Sequence, residues 1–93
     1  MEKLTVNEYK NIIKGLKQQA HTNNQLYIEL NANDLMLENE PKGKNVKVVS
    51  AALNEELLEG DKILFSRVGR RDFAVRFYCD NLSSERRTYY EAL

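Results

Sequence analysis

The sequence predicts a small α+β domain built in the order helix, strand, helix, helix and hairpin. Three observations lead there. A helix-start signal near the N-terminus is followed by an apolar stripe at helical spacing; residues 25–30 alternate apolar and polar; and two β-rich runs, 62–68 and 73–79, flank the turn residues GRRD. Ninety-three residues hold one hydrophobic core, and no repeat or linker divides them, so 1–93 is read as a single domain with its core in residues 5–79.

The first helix is announced by Thr5-Val6-Asn7-Glu8, the pattern of a capping box in which a Thr hydroxyl and a Glu carboxylate satisfy each other's backbone amides. Val6, Tyr9, Ile13, Leu16 and Ala20 then recur at spacings of three and four, which puts them on one face. Thr22-Asn23-Asn24 ends the helix. In QLYIEL, Leu26, Ile28 and Leu30 alternate with Tyr27 and Glu29, the pattern of a half-buried strand. Asn31 or Asn33 caps a short helix over 32–38 that turns Leu35 and Met36 inward. Pro41 and Gly43 make a turn of residues 39–44. Asn45 is expected to cap a third helix over 46–58, with Val46, Val49, Leu53 and Leu57 on its apolar face and Gly60 at its C-terminal stop. The tail 83–93 is a candidate last helix, with Tyr89, Tyr90 and Leu93 as docking residues.

The formal net charge is zero, but the charge is unevenly spread. Residues 29–61 carry three Lys against eight acids, a balance of −5. Residues 62–79 carry Lys62, Arg67, Arg70, Arg71 and Arg76 against Asp72 alone, a balance of +4. The stretch FSRVGRRDFAVRFY, 65–78, therefore interleaves arginines with aromatic rings on one hairpin. A turn centred on Arg70-Arg71 pairs Val68 with Phe73, Ser66 with Val75 and Leu64 with Phe77, an apolar face that covers the core. The same register pairs Arg67 with Ala74, Phe65 with Arg76 and Ile63 with Tyr78, and leaves Arg70 and Arg71 at the tip. Guanidinium groups neutralise phosphates and exposed rings stack on bases, so this face suits single-stranded nucleic acid. The bland alternative is a structural face, with Phe65 and Ile63 under the first helix and Arg67 and Arg76 paired to Glu29, Glu38 or Glu40.

The order of elements over residues 5–79 resembles a winged helix-turn-helix domain, with 46–58 as the recognition helix and 69–72 as the tip of the wing. LYIELNANDLM followed by EGDKILFSRVGRRDFAVRFYC is similar in texture to the compact winged-helix, single-stranded-DNA-binding proteins of staphylococcal cassette chromosomes. The resemblance implies a non-catalytic DNA-binding protein that prefers single strands and acts in replication or processing of a mobile genetic element. One departure stands out. Residues 46–59 carry Lys47 against Glu55, Glu56 and Glu59, a balance of −2, which repels a duplex backbone. The wing then carries the binding charge: Arg67, Arg70, Arg71 and Arg76 on phosphates, Phe65 and Tyr78 on bases, with Lys44 and Lys47 assisting at the N-terminal end of the third helix. Duplex DNA is the secondary ligand. The alternative function is an accessory module that docks a larger replication enzyme through the acidic third helix and the tail Arg86-Arg87-Thr88-Tyr89-Tyr90.

Catalytic and cofactor patterns are missing from the sequence. His21 has no neighbouring ligand at metal spacing, and Gly15, Gly43, Gly60 and Gly69 fit neither a P-loop nor a dinucleotide fingerprint. Cys79 is expected to be a small buried hydrophobe, and a single cysteine fits a reducing cytoplasm. The acids Glu55, Glu56, Glu59 and Asp61 are expected to form a solvated or partner-docking face. The charged N-terminus has no apolar run of a secretory signal, and no stretch approaches the ~20 residues of a membrane span. The expectation is a cytoplasmic protein without cofactor, metal or enzymatic activity.

Overall fold

The computed structural model describes residues 3–67 and 72–93. The elements run α1 (Val6–Thr22), β1 (Tyr27–Asn31), α2 (Ala32–Asn39), α3 (Val46–Glu55), β2 (Lys62–Arg67) and β3 (Asp72–Tyr78). The strands form one antiparallel sheet in the order β1-β3-β2, so the last strand lies in the middle. The helices pack on one face of that sheet, and the core lies between, with Tyr9, Ile13, Leu53 and Leu57 meeting Val75 and Phe77. Among the described residues the protein is thus a compact α+β fold of three helices and a three-stranded antiparallel sheet.

Local signals position the first elements. Thr5 and Glu8 make both bonds of the capping box, and Tyr9, Ile13 and Ala20 are buried on the face the spacing predicts. Asn24 ends the turn after α1 with φ of 58°, a left-handed conformation that Asn tolerates. Asn31 is the cap of α2, its side-chain oxygen accepting from the amides of Asn33 and Asp34 at 2.9 and 3.2 Å. α1 also buries Lys17, one turn beyond Ile13, which the apolar count passes over.

Four expectations are corrected. α3 stops at Glu55, short of residue 58, because the Leu57 amide donates to the carbonyl three residues back, Asn54 at 3.3 Å, and the Leu58 amide is taken by the Asp61 carboxylate at 2.8 Å. Gly60, with φ of 94°, belongs to the turn into β2 and does not cap the helix. Asn45 stands at the N-cap position but its side chain makes no cap bond; its amide donates to the Leu4 carbonyl at 2.8 Å and to Glu40 at 3.0 Å, tying the start of the chain to the α2–α3 turn. The tail forms no helix among residues 80–93. It runs back over the end of α3 through a Leu58–Thr88 bridge and the Tyr89 amide on the Leu57 carbonyl at 3.1 Å. Tyr89 packs against the core and Tyr90 reaches Asn54, while Leu93 stays 85% exposed.

The hairpin register also differs. Ser66 pairs with Phe73, Phe65 with Ala74 and Arg67 with Asp72, two residues from the expected alignment, which puts the connection at positions 68–71. Between Phe65 and Ile63 the register slips by one, so Ile63 pairs with Val75 and Lys62 with Arg76. A bulge of this kind sets two residues against one and turns the following side chains over. Ile63 consequently packs against the core and Leu64 is 39% exposed, the reverse of the expected assignment. Val68, Arg70 and Arg71 lie outside the described residues.

Candidate nucleic-acid interface

The sheet face turned away from the helices carries the candidate site. β1 contributes Tyr27 and Glu29, β3 contributes Arg76 and Tyr78, and β2 contributes Lys62; Ala74, on the same register face, is buried. Alternation along β3 explains the division: Val75 and Phe77 point into the core, so Arg76 and Tyr78 point out. Tyr27 pairs directly with Tyr78 and Glu29 directly with Arg76.

These four side chains form one cluster. The Tyr27 and Tyr78 rings stand 5.7 Å apart, centroid to centroid, tilted by 57°. The Arg76 guanidinium lies over the Tyr27 ring at 4.6 Å, within reach of the negative π face. Arg76 also donates to Glu29 Oε2, at 2.8 Å from Nε and 2.6 Å from Nη2, and to the Tyr78 hydroxyl at 3.5 Å. Those hydrogen bonds to Tyr78 and Glu29 hold the guanidinium pKa above its ordinary value, so Arg76 is charged at every accessible pH. Tyr27 is 42% exposed, and Lys62, opposite Arg76, is exposed as well. Tyr78 and Arg76 are half-buried beside them, so the aromatic pair and its two cations reach solvent chiefly through Tyr27 and Lys62. Glu29 is the only carboxylate within ion-pairing distance of Arg76 among the described residues.

The expected site residues separate into groups. Arg76 and Tyr78 come together with the partners just described. Phe65 shares their face but sits opposite Ala74, since the bulge gives its expected place beside Arg76 to Lys62. It lines a cleft of about 320 Å³ with Leu64, Leu35, Asp34 and Glu38, whose carboxylates make that neighbourhood acidic. Arg67 ends β2 opposite Asp72. Lys44 and Lys47 are exposed at the N-terminal end of α3, beside Asn45, which binds the first residues of the chain rather than the sheet. Sequence reasoning did not nominate Tyr27 or Lys62. The signal for Tyr27 was the alternation of residues 25–30, which sets it against Leu26 and Ile28; Lys62 needed the bulge.

On the other face of the same strand, the acids of the α3 end are internally paired. Glu55 meets Lys10 at 3.7 Å, Glu56 meets Lys14 at 2.9 Å and Glu59 meets Arg87 at 3.0 Å. Asp61, fully buried, accepts from Arg86 at 2.8 Å and from the amides of Leu58 and Tyr78, both at 2.8 Å. Arg86 further donates to the carbonyls of Glu59, Tyr78 and Asn81 at 2.9 to 3.0 Å. The expected solvated acidic face is therefore a structural network for Glu56 and Asp61. Cys79 is buried as expected, and burial pushes its thiol pKa up, away from reactivity.

No family model matches the chain, nor does any curated protein or solved structure. Among the described residues, no three His, Cys, Asp or Glu side chains are grouped to hold a metal, and no helix is long and apolar enough to cross a membrane.

Proposed function

We propose that this chain is a non-catalytic winged-helix module that binds single-stranded DNA on the outer face of its sheet and on the wing that follows it. The observation that carries the reading is the Tyr27–Tyr78 pair, open on a sheet face that also bears Arg76 and Lys62. Bases of any identity stack on such rings, at about 1–3 kcal/mol each, while cations track the backbone. The element order and the strand order β1-β3-β2 support the winged-helix assignment, with 68–71 as the wing connection and α2–α3 as the helix-turn-helix. α3 carries Lys47 as its one cation, fewer than a duplex reader presents, which supports single strands over duplex. The cytoplasmic setting, in replication or processing of a mobile element, belongs to the same proposal through the resemblance in sequence texture.

The site differs from the one expected in two respects. Tyr27 joins Tyr78 as the stacking pair in place of Phe65, whose surroundings are acidic. Arg76 starts from an ion pair with Glu29, so a phosphate must displace that carboxylate. The rival reading, docking of a replication enzyme through the acidic helix and the tail, has less support, since Glu55, Glu56, Glu59 and Asp61 pair within the chain, two of them with Arg86 and Arg87.

The test is fluorescence anisotropy with a labelled single strand of about 20 nucleotides and the matching duplex, each at low and moderate salt. Single-strand binding that weakens with salt, and again in Tyr27→Ala/Tyr78→Ala and in Arg70→Ala/Arg71→Ala, is the expected result. No binding to either ligand at low salt overturns the proposal.

A further inference from the structure

The two edges of the sheet are not alike. β2 is interrupted by the slip between Ile63 and Phe65 and begins and ends in Lys62 and Arg67, features that discourage a further strand. β1 has none of them. Its sequence Tyr27–Asn31 holds no Pro and no Lys, its ladder with β3 is unbroken over five pairs, and among the described residues nothing pairs with its other side. The Cys79 amide donates to the Leu26 carbonyl at 2.7 Å, which fixes the pattern: residues 26, 28 and 30 direct their backbone groups to β3. The amides and carbonyls of Tyr27 and Glu29 therefore face the open edge. A cleft of about 530 Å³ lies alongside it, between Leu16, Gln19 and Asn23 of α1 and Ile28 and Leu30 of β1. Leu26, next to the strand, is 55% exposed.

The segment Leu26-Tyr27-Ile28-Glu29-Leu30 has the same apolar–polar alternation read in either direction about Ile28. We infer that β1 pairs antiparallel with β1 of a second copy of this chain, centred on Ile28, to give a continuous six-stranded sheet. In that register Tyr27 faces Glu29 of the second copy, and these are the two residues whose backbone groups are directed to the edge, so both exchange hydrogen bonds. Leu26 meets Leu30 of the second copy on the helix side, which covers the exposed leucine. On the outer side each Glu29 comes beside the other copy's Tyr27, over which that copy's Arg76 already lies, so the charges are complementary. Shifting the centre to Glu29 would set two carboxylates opposite each other; centring on Ile28 avoids this. The inference rests on the strand edge alone and stands whether or not the outer face binds DNA.

Sedimentation equilibrium over a range of protein concentrations reads the assembly, and an engineered cysteine reads the register. In the centred pairing Ile28 and its copy form a non-hydrogen-bonded pair with Cα atoms about 4.5 Å apart, inside the range a disulfide spans. In a Cys79→Ala background, Ile28→Cys is expected to give a covalent dimer on mild oxidation, and Leu30→Cys to give none. The wild-type mass is expected to double with concentration. Leu26→Lys, a change at an exposed position that places an ammonium group in the seam, is expected to hold the mass at the monomer with an unchanged circular dichroism spectrum. A wild-type chain that stays monomeric up to about 1 mM, with no Ile28→Cys cross-link, overturns the inference. So does a dimer that Leu26→Lys leaves intact or that cross-links equally through Leu30→Cys.

Discussion

The inner and outer faces of β3 carry the same three kinds of group in two different states. Inside, Lys17 lies 4.3 Å over the Phe77 ring with Glu56 and Asp61 nearby; outside, Arg76 lies 4.6 Å over the Tyr27 ring with Glu29 beside it. Inside, Lys17 and Phe77 are almost wholly removed from water, and burial pulls the Lys17 pKa below its ordinary value against the opposing pull of Glu56 and Asp61. Each of those groups has its partners, and none is available to a ligand. Outside, Tyr27 and Glu29 are exposed and Arg76 and Tyr78 half-buried, so water reaches and screens the ion pair. A motif of cation, ring and acid is thus structural or available according to its burial. Its composition alone does not decide.

The inner arrangement is the one whose loss costs most. Asp61 holds the Arg86 guanidinium, the Leu58 amide and the Tyr78 amide with no access to water. Asp61→Ala leaves Arg86 as a buried charge without a counter-ion and is expected to destabilise the fold by about 3–5 kcal/mol in urea unfolding. That is a large fraction of the ~5–15 kcal/mol typical of a small domain. The tail, anchored by the same Arg86, should become protease-sensitive in this variant. A loss under about 1 kcal/mol would mean that the inner network is as replaceable as a surface pair, and the contrast between the faces would fail.

The outer face should behave in the opposite way. Tyr27→Ala/Tyr78→Ala is expected to weaken single-strand binding by about 1–3 kcal/mol per ring that stacks, and to change stability much less than Asp61→Ala. Equal losses of stability and binding would show the tyrosines to be supports for β1 rather than a platform.

What the sequence made legible divides along the same line. Elements set by neighbours in the chain are read correctly: the Thr5–Glu8 box, the start of α2, whose cap is Asn31 of the two candidates, and the alternation that turns Tyr27 outward. Elements set by distant residues are not. The bulge at Leu64 depends on how β2 meets β3, the early end of α3 depends on Asp61, which takes the Leu58 amide, and the course of the tail depends on the same carboxylate through Arg86. Lys17 was discoverable, since it falls four residues after Ile13 and three before Ala20, in the middle of the buried stripe. A count of apolar residues alone leaves it out. The pairing of Arg76 with Glu29 was foreseen as the structural alternative, and it coexists with the open aromatic pair that the functional reading requires.

A third contrast is in pH. Hydrogen bonds from Tyr9 and Asn45 hold the Glu40 carboxyl below its ordinary 4.5, and Arg87 does the same for Glu59. A depressed carboxyl stabilises the fold above its unfolded value, and that contribution disappears as pH falls from 4.5 through the folded value. Urea midpoints should therefore fall between about pH 5 and pH 3, and the fall should be shallower in Glu40→Gln. At the alkaline end burial and Glu40 raise the Tyr9 pKa above its ordinary 10.0, so the folded state keeps a proton the unfolded chain loses, and stability should fall again above pH 10.

The smallest expected effect discriminates most sharply between the two faces. Glu29→Gln removes the carboxylate from Arg76 while keeping a side chain of the same size on β1. If Arg76 belongs to a binding surface, releasing it should strengthen single-strand binding by up to about fivefold, the range of an exposed ion pair. The dependence of log affinity on log salt should steepen by about 0.7, the value for one further phosphate on a single strand. In Arg76→Gln/Glu29→Gln the gain should vanish, because no guanidinium is left to be freed. Weaker binding in Glu29→Gln would instead mean that the ion pair holds Tyr27 and Tyr78 in place, making Arg76 a positioning residue like Arg86 on the inner side. Affinity alone could mislead, since a loosened β1 also changes the rings. The salt slope separates the cases: a freed guanidinium changes the number of phosphates neutralised, and a displaced tyrosine does not.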